Sequence, residues 1–219
     1  MYIDIHVHNE YKQEDVLLLL NLFPGDTDKC NDKGFYSVGL HPWYVNENSL
    51  NYQVGLVRKA ASKPNFIAVG EIGLDKKVDT PIEWQIKAFT DQLAIAEELG
   101  KPVIIHCVRA YDQLLSFRKK SNRHIPWIIH WFNASKQMAD DLIEKNCYLS
   151  FGHMLFNENT KAFRVFKELP VDRIFFETDD AGLSITEIYE KGSECLDISL
   201  EDLQNQIIKN FRNCFGDIL

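Results

Sequence analysis

Six side chains able to ligate a divalent cation occur along the chain in the order His6, His8, Glu71, His106, His130 and Asp179, each at or near the C-terminal end of a short apolar run. Side chains alternate faces along a β-strand, so in Tyr2-Ile3-Asp4-Ile5-His6-Val7-His8 the polar set Asp4, His6 and His8 shares one face and Ile3, Ile5 and Val7 share the other. Burying imidazoles and a carboxylate is costly unless their lone pairs are engaged, and a divalent ion engages them. The set is too large for one open catalytic ion. It divides into His6, His8 and Asp179 for a first ion and His106 and His130 for a second, with Glu71 bridging through one oxygen to each. Such a mixture of imidazoles and carboxylates suits Zn²⁺ or Mn²⁺, with Mg²⁺ less comfortable among so many nitrogens. Two neighbouring ions bind a hydroxide between them and neutralise the oxygens of a phosphate under attack. Metal-assisted hydrolysis is therefore the expected chemistry, with Asp179 taking the proton of the attacking water.

Ligands so far apart in the chain meet only if the fold gathers strand ends on one rim. Eight β-like runs fall at 2–8, 16–22, 35–40, 66–71, 103–107, 126–131, 147–151 and 173–178, several of them rich in Val, Ile and Phe. Helical patterns lie between most of them. The clearest, over 81–99, repeats Ile82, Ile86, Phe89, Leu93 and Ala96 every three or four residues after Thr80-Pro81 and stops at Gly100. Segments 109–120, 134–145 and 157–168 follow the same rule, and 199–215 reads as a closing helix begun by Ser199. Strands alternating with helices predict an α/β fold, a TIM-type (β/α)8 barrel whose active rim lies at the C-terminal strand ends. Only residues 9–15 separate His8 from Val16, too few for a helical crossover, so a shortened barrel lacking its first helix is expected.

Bulk composition narrows the function classes. With 219 residues, 45% of them hydrophobic, and no linker-like stretch, the chain reads as one domain over 1–219. A net charge of −8 disfavours a broad basic surface gripping polyanions, so any nucleic-acid contact should be local. The five cysteines lack C-x-x-C spacing and mostly lie in apolar runs, as expected of reduced thiols in a cytoplasmic protein. No signal-like start and no membrane-length apolar run is found in the sequence.

Several of these segments together resemble the TatD-like metal-dependent deoxyribonucleases. The resemblance is carried by Ile3-Asp4-Ile5-His6-Val7-His8, Gly39-Leu40-His41-Pro42, Gly70-Glu71-Ile72-Gly73-Leu74-Asp75, by Gln85, Phe89 and Gln92, by Pro102-Val103-Ile104-Ile105-His106-Cys107, by His130 with Phe132, and by Phe176-Glu177-Thr178-Asp179. It implies a TIM-barrel hydrolase that binds divalent cations and cleaves phosphodiester bonds in DNA, with the same six residues at the ligand positions. Trp131 and Asn133 after His130, and Asp180-Ala181-Gly182 after Asp179, depart from the usual loops of that family. Those loops shape substrate entry, leaving DNA, RNA or a smaller phosphodiester as candidate substrates. No obligatory protein partner is expected.

Around the ligand set, His41, Arg109 and His153 stand at or beyond strand ends and are candidate substrate contacts, His41 alternatively anchoring its own loop, Arg109 alternatively pairing with a carboxylate and His153 alternatively an ordinary loop residue. Asp75 is a candidate acceptor steering a ligand histidine. Of Trp127, Trp131 and Phe132, Trp131 alone is placed to stack on a base, and the basic run 118–123 reads as surface at a helix end. Two rival functions share much of this pattern. An amidohydrolase acting on a cyclic amide, ester or lactone uses a similar HxH, His, His, Asp framework, but commonly with a modified lysine where Glu71 stands. A non-enzymatic metal-binding relative would keep the ligands and lose the substrate.

Overall fold

Eight strands lie side by side in chain order, every neighbouring pair parallel, in a computed structural model that describes residues 1–31 and 34–219. They are β1 (Tyr2–Val7), β2 (Val16–Leu22), β3 (Phe35–Val38), β4 (Phe66–Asp75), β5 (Val103–Val108), β6 (Trp127–Ile129), β7 (Cys147–Phe151) and β8 (Ile174–Phe176). A parallel bridge between Val7 and Asp179 joins the last strand's end back to the first, and the Asp179 N–H donates to the His6 carbonyl at 3.1 Å. The sheet thus closes into the expected barrel, and its seam runs through two of the predicted ligands.

Helices α1 (Leu50–Ala60), α2 (Ile82–Leu99), α3 (Tyr111–Lys120), α4 (Lys136–Ile143), α5 (Lys161–Phe166), α6 (Ile185–Leu196) and α7 (Leu200–Phe215) cover the outside. Apart from the starts of β1, β2 and β3 and the end of β5, the strands are buried on both faces, as the near-continuous Val, Ile, Leu and Phe runs require. Helix α2 ends where Gly100 adopts φ +63 and returns its N–H to the Ala96 and Glu97 carbonyls. On β4, Gly73 lies opposite His106 of β5, and a Cβ there would sit 1.9 Å from the His106 carbonyl oxygen. Glycine is what lets these two strands approach where each carries a ligand.

As the spacing predicted, no helix separates β1 from β2. Among the described residues the β2–β3 connection also lacks an α-helix, holding only a 3₁₀ segment, Pro24–Lys29. Val16, Leu17 and Leu18 are consequently half-buried, and with Phe35 they line an open groove of about 860 Å³ on the barrel wall. The short first loop is tied inward instead: the Tyr11 hydroxyl donates to Asp4 Oδ2 at 2.8 Å. Asp4 also accepts the Thr178 N–H at 3.0 Å and the Thr178 hydroxyl at 2.6 Å, so one buried carboxylate clamps β1, β8 and the loop. Burial pushes this carboxyl up to about 7, against the opposing pull of the Thr178 and Tyr11 hydrogen bonds.

Some expectations need correction. The apolar run of β4 continues past Glu71 to Asp75, and the helix expected over 157–168 shrinks to α5 behind a 3₁₀ turn, His153–Phe156. Helices α1 and α6 were not foreseen. Each carries an internal glycine, Gly55 and Gly192, that weakens its helical signal, although Ser184 and Glu187 form a capping box that marks the start of α6. The basic run 118–123 is not uniformly surface: Arg118 is fully buried, its Nε donating to the Lys145 carbonyl at 2.7 Å and its guanidinium lying 4.8 Å from the Trp127 ring centre. All five cysteines are free thiols. Among the described residues no helix is long and apolar enough to cross a membrane.

Replacing Asp4 by Ala strands the Thr178 N–H and hydroxyl in the interior, so thermal unfolding should report a loss of about 2–4 kcal/mol. Tyr11→Phe, which removes one hydroxyl at the edge of the same network, should cost only about 1 kcal/mol. Equal losses in the two variants would contradict the clamp.

Candidate metal centre

Strand period fixes who meets whom. Glu71 and Asp75 lie on the same face of β4, and each strand end delivers its ligand to the rim over which β1 and β8 close. Glu71 is buried at the middle, and its two oxygens face different partners. Oε2 lies 3.4 Å from His6 Nε2 and 3.7 Å from His8 Nε2, while Asp179 Oδ1 lies 3.2 Å from His8 Nε2 and 3.8 Å from His6 Nε2. Oε1 lies 2.9 Å from His106 Nδ1, 3.0 Å from His130 Nε2 and 3.2 Å from His41 Nε2. All six residues expected to be ligands therefore converge. His41, expected as a substrate contact or loop anchor, does two things: its Nδ1 accepts the Trp43 N–H at 3.1 Å, and its Nε2 joins the second half of the cluster.

The donor set fits a cation. His6 and His8 turn their Nε2 atoms toward each other at 3.3 Å, both also facing acidic oxygens. The sets His6, His8, Glu71 and His41, Glu71, His106 each bring one ligand atom per residue within 4.8 Å of the others. Electrostatics agree with ionised carboxylates facing the His8 and His130 imidazoles, which are drawn toward their cationic form, positive charge that a bound cation would replace. Burial alone would raise the Glu71 carboxyl, but His130, His106 and His41 hold it well below the ordinary range. Asp179 is likewise held low, burial being outweighed by its bond from His8 and the charges of His130 and His6. Burial pulls His41 down. His130 goes well up against its burial because Glu71 and Glu177 flank it.

A second layer orients these groups. Asn21 Oδ1 of β2 accepts the Glu71 N–H at 2.6 Å and the Ser37 hydroxyl of β3 at 3.1 Å. Asp75 faces His106 Nε2 at 3.2 Å, the role expected of it, and also accepts the Trp43 indole N–H at 2.7 Å. Gln85 accepts the Asp75 N–H and donates to the Asp75 carbonyl. Glu177, buried at the end of β8, lies 3.5 Å from His130 Nδ1 and accepts the Trp131 N–H at 2.5 Å. Fixed partners of this kind set ring orientation and ligand basicity.

Above the cluster opens a cleft of about 630 Å³ lined by His8, Glu71, His106, His130 and Asp179 and by Trp43, Tyr44, Trp131 and His153, with Lys29 on one wall. Asp180 and Ala181, from the loop after Asp179, form part of the same wall. His153 is therefore where a substrate contact is expected. Arg109 is not among the lining residues: it is exposed at the end of β5 with φ +53. Trp127 and Phe132 are core residues, leaving Trp131 as the exposed member of that aromatic trio. Trp43 and Tyr44 were missed, although two aromatics directly after Gly39-Leu40-His41-Pro42 at a strand end could have flagged them.

A family model described as TatD related DNase matches residues 26–216. The chain belongs to this family. It is 31% identical over 149 residues to the uncharacterized metal-dependent hydrolase YabD of Bacillus subtilis, an alignment covering 66% of this chain and 58% of that protein. It is 28% identical to the 3'-5' ssDNA/RNA exonuclease TatD of Erwinia tasmaniensis, over 65% of this chain and 56% of that one. The chain thus matches little more than half the length of these relatives. The crystal structure of YjjV, a TatD homologue from Escherichia coli K12, superposes with a TM-score of 0.85 at 21% identity, covering 98% of both chains, which establishes the shared barrel.

Chelation should lower the melting temperature and saturating Zn²⁺ or Mn²⁺ should restore it. At a hundredfold excess over Kd the gain is about 2.7 kcal/mol. Glu71→Gln, which retains the shape but withdraws the central charge, should respond much less. A wild-type melt indifferent to chelator and metal would reject a cation site.

Proposed function

We propose that this chain hydrolyses phosphodiester bonds of nucleic acid at a centre holding two divalent ions. The observation that carries the reading is the division of Glu71, one oxygen toward His6 and His8 and the other toward His41, His106 and His130. His6, His8 and Asp179 would hold one ion, His106 and His130 the other, and Glu71 would bridge them. Bound there, the ions would acidify a water and offset charge on the non-bridging phosphate oxygens.

The residues themselves account for the rest. Asp179, ionised and facing the cleft, accepts the proton of the attacking water, whose oxygen bonds to phosphorus as the ester bond to the leaving oxygen breaks. The leaving oxygen takes its proton from the water of the open cleft. Asp75 and Glu177 keep His106 and His130 in one orientation throughout. The lactone-type alternative lacks support at β4, where the bridging position is a carboxylate, and among the described lining residues the one lysine, Lys29, pairs with Asp26 at 3.1 Å. Names of relatives such as the Erwinia exonuclease favour nucleic acid as the substrate class. Five unpaired cysteines favour the cytoplasm as its place of work.

Asp179→Asn should lower metal-dependent turnover of a DNA oligonucleotide by about 10² or more. Its melting in chelator should match the wild type, because the backbone N–H that closes the barrel is retained. A panel of phosphodiesters and lactones decides the reaction class. Near-wild-type turnover in the variant would reject Asp179 as proton acceptor, and a strong preference for lactones would reject the phosphodiesterase.

A further inference from the structure

Few aromatic side chains here are exposed, yet Trp43 and Trp131, at 53% and 41%, stand in the cleft itself beside Tyr44. Neither is loosely held. The Trp43 indole is tied by its N–H to buried Asp75, and the residue sits in a 3₁₀ turn (Pro42–Tyr44) anchored by His41. Trp131 adopts φ +48, its N–H is held by buried Glu177, and its ring meets His153 edge-on at 5.1 Å. The two indoles flank the second half of the metal cluster: Trp43 lies 6.0 Å from His106, His106 5.7 Å from His130, and His130 6.1 Å from Trp131. An exposed apolar ring already held by its own N–H, as in Trp43, or by its backbone N–H and a neighbouring ring, as in Trp131, loses little entropy when a flat partner lies on it.

The charge distribution makes such rings useful. The chain carries −8 overall, and among the described residues lining the cleft Lys29 is the one Lys or Arg, already paired with Asp26. A polyanion gripped here gains little from a basic track, so affinity has to come from the ions at one phosphate and from the bases beside it.

We propose that Trp43 and Trp131 are the specificity-determining residues of the site, stacking on the two nucleobases that flank the scissile phosphate of a single strand. The assignment rests on the phosphodiesterase reading above for the position of that phosphate. Bases in a duplex have their faces covered by neighbours, so the platforms select unpaired strands, and they tolerate any sequence because every base has a π-face.

The test uses the metal-loaded protein with a short oligothymidylate and an abasic oligomer of equal length. For cleavage, Trp131→Ala and Trp43→Ala should each raise KM for oligothymidylate about tenfold. Both variants should leave KM for the abasic oligomer unchanged. Trp43→Phe keeps a ring but loses the N–H to Asp75, so it should restore KM, which separates stacking from any role of Trp43 in positioning His106 through Asp75. Binding is read independently by fluorescence anisotropy of a dye-labelled oligothymidylate whose methylphosphonate linkages cannot be hydrolysed, against its abasic counterpart. Base-dependent binding lost in the Ala variants supports the platforms even if no oligomer is cleaved, an outcome that would reject the phosphodiesterase alone. Equal handling of base-bearing and abasic oligomers by the wild type, or unchanged KM and binding in both Ala variants, overturns the platforms while leaving the phosphodiesterase standing.

Discussion

A single carboxylate buried among imidazoles organises the upper half of this barrel. Glu71 is almost wholly buried, so its charge is tolerated because five histidine rings surround it. Each neighbour must then arrive from its own strand at the right height, which makes β4 the reference against which β1, β3, β5 and β6 are registered. The close approach at Gly73, where no side chain separates β4 from β5, is one visible consequence. The support from Asn21 and Ser37 beneath the Glu71 backbone is another.

Rigidity in the site comes from a shell of hydrogen bonds whose outer members are also the walls of the cleft. Asp75 joins His106 to Trp43, and Glu177 joins His130 to Trp131. The walls of the cleft are thus one contact removed from the clustered histidines. The same two buried acids face the imidazoles on one side and the tryptophans on the other, Asp75 at the Trp43 indole N–H and Glu177 at the Trp131 backbone N–H.

Much of this was legible in the sequence because its signals are local. Alternation in Ile3-Asp4-Ile5-His6-Val7-His8 gives the face, the apolar runs give the strands, and the short gap after His8 gives the missing helix. What escaped depends on the direction in which a side chain leaves the backbone. Arg109, three residues past His106, has φ +53, is exposed and is not among the lining residues, whereas Trp131 with φ +48 is, and no spacing rule distinguishes them. His41 joins the cluster because β3 is short and Glu71 is at its level, a fact of register. Arg118 is buried because the carbonyls of Lys145, Asn146, Asn122 and Arg123 converge on it, which its basic neighbours concealed.

The lean wall of the barrel has a consequence of its own. Where a full crossover helix would cushion β1, a loop of a few residues reaches inside, and Tyr11 touches the same acid that braces Thr178, next door to Asp179. Exterior and rim are therefore mechanically continuous on this side of the molecule. An insertion or a bulky neighbour at that loop would be felt at the seam where His6 and Asp179 meet, while similar changes beyond α3 or α4 would be absorbed by the helical coat.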